Sequence, residues 1–366
     1  MKILIIGEFS GFAKHLKNGF NHFGHEVCIV HTGDGFKNFK AGENDILYSL
    51  PNDIKIGSFA IKKSNIIFRH RTNNEIVAKL KKKGNFDLIV IICDGFVTDS
   101  ILRIGISLNY VKEQVQKGAK VILTTCGGDA AHHKYLPEEK YFNIAFPKGI
   151  PGRIYSKKLC KLLKLTSVIV PTAYDYYYTM SRFLDNDFGK KVPMTYVPLP
   201  ITITPTTITS CKNRKIVIFH GVTRPVIKGT PFFKEALKRI QNEFPDHVEI
   251  IVAGHMPYDK YVEVFNRLDI LLDQTNSYGM GINANLGLMN GKVVFSGNEP
   301  EEESLRGYPS PVINAKPDAN DIYEKLKYLV THPDEIDRIK NESREYALNY
   351  LDSEKIASRY LKIIDC

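Results

Sequence analysis

Short apolar runs alternate with segments of helical periodicity along the first half of the chain, the pattern of a parallel sheet covered on both faces. Ile3–Ile6 reads as a buried first strand rather than the core of a signal peptide. Phe12, Leu16, Phe20 and Phe23 then recur at helical spacing, with Ser10 placed as the cap and Gly24 as the stop before a second strand, Glu26–His31. Further strands are expected at Leu88–Cys93, Val121–Thr125 and Val168–Val170, each running into small or polar residues: Asp94-Gly95, Gly127-Gly128-Asp129 and Pro171-Thr172. In open α/β sheets the ligand crevice lies outside the carboxyl ends of the strands, so chemistry is expected on these loops.

Between Val197 and Asn213 three prolines and a run of threonines suit neither a helix nor a central strand, and a linker is expected. The alternation then resumes. Strands are expected at Ile216–His220, Val248–Ala253, Ile270–Asp273 and Val293–Ser296, with helices through Phe233/Leu237/Ile240/Phe244, Tyr261–Leu268 and Ile282/Leu286/Met289 between them. Helices over Asp321–Leu329, Pro333–Tyr350 and Asp352–Ile364 finish the chain. The fold class expected is therefore α/β, with two Rossmann-like doubly wound domains, residues 1–200 and 213–351, facing across a cleft.

Composition agrees with two cores, since 366 residues exceed what one core usually supports, and 43% hydrophobic with 25% charged residues marks a folded chain. The longest apolar stretch, Leu88–Cys93, falls far short of the roughly 20 residues that span a bilayer. Six cysteines without CxxC spacing read as reduced thiols, which fits a cytoplasmic protein, and no Cys/His spacing suggests a metal. A formal charge of +10 implies an anionic partner, and without a recognised binding module nucleic acid is set aside. Lys157, Lys158, Lys161 and Lys164 interleave with Leu159, Leu162, Leu163 and Leu165. That segment reads either as a basic amphipathic helix at an anionic membrane surface or as a solvated face whose lysine stems cover apolar surface.

The most informative stretch is His220 to Pro231, which leaves a strand and enters a helix with Thr230 as its cap. Arg224 and Lys228-Gly229 set two cations beside exposed helix-start amides, a combination that binds a diphosphate and stabilises it as a leaving group without a metal. Removing those two charges is expected to abolish nucleotide binding and leave the fold intact. A second stretch, Asp269 to Gly281, offers Gly279-Met280-Gly281 for another phosphate contact, while Asp273 and Gln274 suit ribose or sugar hydroxyls. His255, in the loop Gly254–Tyr258, is placed to frame a nucleotide base or is simply a polar loop residue.

Arg224, Lys228-Gly229, Gly279-Met-Gly281 and Gly291-Lys-Val-Val294 occur in the order found in GT-B glycosyltransferases, and the stretch Ile216–Leu329 resembles the donor-binding domain of family 4 (glycosyl transferases group 1). The N-terminal half is similar only in outline. Where that family has His-Gly-x-Asp, this chain has Cys126-Gly127-Gly128-Asp129, and the family's pair of glutamates falls here on Tyr278 and Leu286. The resemblance implies a hexosyltransferase-type enzyme of cell-envelope polysaccharide or glycolipid synthesis, with a nucleotide-sugar as substrate and no cofactor. Its donor would sit in residues 213–351 and its sugar or lipid-linked acceptor in residues 1–200, with the last helix, 352–366, packing back on that first domain. A cytoplasmic location is expected, with peripheral association at the inner face of the membrane as the accompanying hypothesis. Gly11 would lie near the phosphates or the acceptor, Asp129 and then Asp94 would polarise the acceptor hydroxyl, and Glu299, ahead of Asp273 and Asn283, would replace the absent glutamates. Adjacent His132 and His133 are expected to face solvent rather than to act in catalysis.

Competing readings remain a nucleotide-sugar epimerase of the same fold and a non-catalytic nucleotide- or carbohydrate-binding relative. A nicotinamide-dependent dehydrogenase fits less well, because Gly7-x3-Gly11 is not G-x-G-x-x-G and Asp34 stands late for a ribose-binding acid.

Overall fold

The computed structural model describes residues 1–35, 39–48, 54–56, 59–61, 66–100, 103–141, 151–222, 224–254 and 258–365, which form two compact units. Unit 1 comprises Met1–Glu139, Asn143–Val197 and Ile356–Cys366, and unit 2 comprises Lys140–Phe142 and Pro198–Lys355.

The sheet of unit 1 has six strands: β1 (Lys2–Ile6), β2 (Glu26–His31), β3 (Ile46–Leu47), β4 (Leu88–Ile91), β5 (Lys120–Thr125) and β6 (Val168–Pro171). They lie in the order β6-β5-β4-β1-β2-β3, every neighbouring pair parallel, with Ile3 opposite Val27 on one side and Leu88 on the other. Both faces are covered, which is why the strands read as unbroken apolar runs. The helices are α1 (Phe12–His22), α2 (Ile66–Lys82), α3 (Leu108–Gln116), α4 (Ala130–Tyr135), α5 (Pro151–Leu163) and α6 (Tyr174–Phe183). Two two-stranded pairings, Ile54–Ile56 with Phe59–Ile61 and Val97–Thr98 with Ile106–Ser107, accompany them.

Unit 2 has five parallel strands, β7 (Ile216–Val222), β8 (Val248–Gly254), β9 (Ile270–Leu272), β10 (Val293–Ser296) and β11 (Ile313–Asn314), in the order β8-β7-β9-β10-β11. Its helices are α7 (Pro225–Lys228), α8 (Thr230–Glu243), α9 (Tyr258–Arg267), α10 (Ile282–Met289), α11 (Pro300–Arg306), α12 (Ala319–Thr331) and α13 (Pro333–Tyr346). At the amino end of β9, Asp269 accepts paired hydrogen bonds from Arg214 at 2.6 and 2.7 Å and a further bond from buried Lys340, which ties the strand to α13.

Several details depart from the sequence reading for local reasons. Ser10 does not cap α1: it adopts φ 56°, and buried Glu8 instead accepts from the amides of Gly11 at 2.8 Å and Lys14 at 3.1 Å. The expected helix Pro333–Tyr350 gives way after Tyr346 to a wider π turn over Ala347–Leu351. The stretch expected as a linker lies on unit 2. Ile201 is fully buried and its backbone pairs with Ser353 and Leu351, while the carbonyl of Thr209 accepts from Lys340. The last helix, α14 (Ser353–Asp365), places Tyr360 at 0% exposure, edge-on to Phe20 of α1 with ring centroids 6.3 Å apart.

Candidate functional site

The carboxyl ends of β7, β9 and β10 gather most of the candidate donor residues of unit 2. Gly229, at φ 65°, lets the chain turn from α7 straight into α8; a side chain there would also strike Thr275, so the loop after β7 lies directly on the loop after β9. Two hydrogen bonds join those loops, from the Thr275 amide to the Lys228 carbonyl and from Asn276 to the Val226 carbonyl. Thr230, expected as the cap of α8, is its first residue, and its hydroxyl meets His220 Nε2 at 2.9 Å while Nδ1 lies 2.8 Å from the Leu272 carbonyl. Burial lowers the His220 pKa, so the neutral ring acts as a fixed strut between β7, β9 and α8.

Lys228 is not a free cation. Its ammonium is buried and pairs with Asp273, whose carboxylate also accepts from Asn283 at 3.0 Å and Ser296 at 3.2 Å. Burial pushes the Asp273 carboxyl up, but Lys228 and the two hydrogen bonds outweigh it and hold the group below its ordinary value. Asp273 therefore organises the ends of three strands instead of standing open to hydroxyls, and removal of Lys228 cannot leave the fold untouched. Arg224, at the head of α7, is exposed. His255 lies outside the described residues.

Around the glycine loop, Gln274 donates to the Gly279 carbonyl at 3.3 Å and Ser277 to the same oxygen at 2.9 Å. Gly279 faces the buried carboxylate of Glu302, which a Cβ there would meet at 2.8 Å. Sequence reasoning did not reach Glu302, and its only signal is a place one helical turn after Glu299. Gly281 heads α10 with nothing within 4 Å of a Cβ built on it, and Met280, half-buried, packs on the core behind. Glu299 accepts from Lys140 at 2.8 Å, Tyr141 at 2.7 Å and Asn314 at 2.7 Å. Those bonds overcome burial and keep its pKa low. Buried Tyr278 lies beneath the same lysine, 5.1 Å from its ring centroid.

In unit 1 the corresponding strand ends collect Gly11, Asp94 and Asp129. Asp129 caps α4 through the His132 amide at 2.9 Å, and Asp94 accepts from the Ala130 amide at 3.1 Å. Lys158 is buried and pairs with Asp94 at 3.1 Å while donating to the carbonyls of Asp94 and Val97. One of the four lysines of the amphipathic segment thus points inward, where Leu159, Leu162 and Leu163 are also buried. Burial first, and Asp94 second, push the Asp129 carboxyl up to about 8. His133 is exposed as expected, but His132 is buried against Tyr176 with its pKa lowered to about 3 by burial, so it is neutral. Glu8, also missed in the sequence, is pushed up to about 7 by burial. Its bonds to the Gly11 and Lys14 amides occupy the start of α1, where the dehydrogenase reading would place a dinucleotide pyrophosphate.

The five described cysteines are free thiols, and no cluster of metal-ligating side chains occurs among the described residues. No described helix is long and apolar enough to cross a membrane.

No family model and no curated protein matches the sequence. Solved structures do match over the whole chain. TarM of S. aureus, in complex with fondaparinux, alpha-GlcNAc-glycerol and UDP, is 10% identical with a TM-score of 0.63, covering 100% of both chains. HepE of Anabaena, in complex with UDP-glucose, is 11% identical with a TM-score of 0.60, covering 100% of this chain and 99% of its own. WaaG, a glycosyltransferase involved in lipopolysaccharide biosynthesis, is 13% identical with a TM-score of 0.61, covering 98% and 99%. At such identities the likeness is one of architecture, and the architecture is unambiguous: this chain has the GT-B fold, two Rossmann-like doubly wound units in tandem.

Proposed function

We propose that the protein is a metal-independent glycosyltransferase that moves a sugar from a nucleoside-diphosphate donor, of the UDP-sugar kind, to a hydroxyl of a glycan or lipid-linked acceptor in envelope polysaccharide or glycolipid synthesis. The observation that carries the reading is the GT-B fold over the full chain, with Arg224 and the starts of α8 and α10 at the carboxyl edge of unit 2. Helix-start amides and a guanidinium favour a diphosphate and stabilise it as it departs. The bond from the acceptor oxygen to the anomeric carbon forms as the bond to phosphate breaks. The nucleoside diphosphate keeps that electron pair, and the hydroxyl proton passes to a carboxylate. Asp129, with a pKa near the working pH, is the carboxylate in unit 1 suited to that transfer. Binding energy from the donor is assigned to unit 2, with Gly279, Met280 and Gly281 shaping the phosphate contact and Tyr278, Gln274 and Glu299 bordering the sugar.

Exposed Lys157 and Lys161 on α5, with exposed Lys164 just beyond its end, support a peripheral role at an anionic, cytoplasm-facing membrane surface. The decisive experiment is a thermal-shift panel of nucleoside diphosphates and nucleotide-sugars, since a ligand specific to the native state raises the melting point. UDP or UDP-glucose should raise it in the wild type, and Arg224→Ala should reduce that rise. A panel in which no nucleotide shifts the melting point refutes the donor assignment.

A further inference from the structure

The carboxyl edge of unit 1 gathers buried carboxyls in a chain whose net charge is positive. Three of its loops are locked together by aromatic rings: Phe9, after β1, and Phe96, after β4, sit 4.9 Å apart at 49° and are both half-buried. The backbone of Gly127, after β5, lies so close to Phe9 that a Cβ would fall 2.6 Å from its ring, and Gly7 stands in the same relation to Phe96. Four buried carboxyls belong to this edge. Glu8, Asp94, Asp129 and Asp175 are 3%, 1%, 1% and 5% exposed. Glu8 occupies the amides of Gly11 and Lys14, Asp34 occupies the amide of Ser10 at 2.8 Å, and the Lys158 ammonium is committed to Asp94 and two carbonyls. His15 and His132 are held neutral by burial, and His133 lies over Gly128. Asp129 Oδ2 is buried and has no hydrogen-bond partner among the described residues.

We infer that this edge takes a neutral, hydroxyl-bearing sugar ring, with no phosphate or carboxylate beside its reacting hydroxyl, resting on Phe9 and Phe96 and bonded to Asp129 Oδ2. A buried oxygen without a partner costs free energy that a ligand hydroxyl relieves, because a hydroxyl both donates and accepts and so suits the carboxyl in either protonation state. An anionic group would find the Lys158 ammonium and the Gly11 and Lys14 amides already taken, and a charge buried without a partner is costly. A half-buried aromatic pair with a few fixed polar groups is also the lining that orients an apolar ring face. The inference rests on the transferase reading and specifies the acceptor end of it: any phosphate of a lipid-linked acceptor lies away from the attacking sugar.

Saturation-transfer NMR on the full chain tests this with methyl α-glucoside and methyl N-acetylglucosaminide against glucose 6-phosphate and glucuronate, alongside the thermal shift with UDP. The neutral glycosides should give signals at least about tenfold stronger than the anionic sugars, consistent with 1.4 kcal/mol or more of discrimination. Asp129→Leu and, separately, Phe9→Ala should abolish or weaken those signals while the UDP shift persists and reports folded protein. Anionic sugars binding as well as neutral ones, or neutral signals indifferent to both substitutions, overturn the inference. So does an absence of neutral-glycoside signal in protein that responds to UDP, which leaves the donor reading standing. Glycoside binding lost in Asp129→Leu with no response to UDP in the wild type sinks the donor reading instead and leaves the neutral-sugar site in place.

Discussion

Replacing Lys228 by methionine keeps the length of the side chain and removes its charge. The side chains of Lys228 and Asp273 are 9% and 1% exposed, so the change leaves a carboxylate inside unit 2 with only Asn283 and Ser296 as partners. Breaking a buried pair on one side costs roughly 3–5 kcal/mol. The two surviving hydrogen bonds, each worth about 0.5–1.5 kcal/mol net, place the expected loss at about 3 kcal/mol. For a unit of this size, about 2–4 °C per kcal/mol turns that into a fall of about 6–12 °C in the melting point of unit 2. Adding Asp273→Leu removes the orphaned charge. The double variant should therefore recover about 2 kcal/mol, leaving a deficit of about 1 kcal/mol for the unpaired Asn283 and Ser296. Hydrogen exchange read by mass spectrometry on peptides from β7 and β9 resolves unit 2 from unit 1, and urea titration gives the free energies. The sign of the pH dependence follows from the lowered Asp273 pKa. Its stabilisation is present above the unfolded value of 3.8 and fades as pH falls below it, so the deficit of Lys228→Met should shrink in acid. A double variant less stable than the single, or a single variant as stable as the wild type, would refute the buried pair and return Lys228 to the role of an open phosphate cation.

Asp129 gives the opposite pH signature: with its folded pKa raised from 3.8 to about 8, it penalises folding increasingly as pH climbs through that window. Asp129→Asn should therefore gain stability over the wild type from acid to mildly basic pH, and urea titrations at several pH values that run parallel for the two proteins exclude the shift. Gly229→Ala faces both a left-handed backbone, worth about 1–2 kcal/mol, and a Cβ in contact with Thr275, so unit 2 should lose at least about 2 kcal/mol; a loss under about 1 kcal/mol contradicts the loop contact. Flotation with anionic vesicles should fall with added salt and fall further in a Lys157→Glu/Lys164→Glu variant, and binding indifferent to salt removes the membrane role.

Both sheets were legible because buried parallel strands read as apolar runs, and Leu88–Ile91 or Ile270–Leu272, short and bounded by polar loops, suit a strand by length. The loops that end them were legible for the same reason, since a strand's carboxyl end follows once its boundaries are known. What the chain does not show along its length is who pairs with whom. Lys228 and Asp273 are 45 residues apart, Lys158 and Asp94 are 64 apart, and each cation reads as free until the fold brings its carboxylate to it. Ser10 stands where a cap would, yet Glu8 reaches the amides of the helix start from the preceding strand end. Glu302 stayed hidden because nothing in a Pro-Glu-Glu-Glu run distinguishes the one glutamate that folds in over Gly279.

The same distinction separates net charge from the charge a ligand meets. An excess of ten cations describes the far field, which governs encounter with an anionic surface and decays within about 8–10 Å at physiological ionic strength. Specificity is decided at contact distance, and inside unit 1 Lys158 is consumed by Asp94 and the helix start by Glu8, so neither is left for an anion. A basic chain can thus expose lysines on α5 and still keep Lys158 committed inside, while Arg224 in unit 2 is exposed. If the two ligands of a transfer differ in charge as a nucleoside diphosphate and a neutral sugar do, one unit needs an exposed cation and the other does not, a division that Arg224 and Lys158 follow.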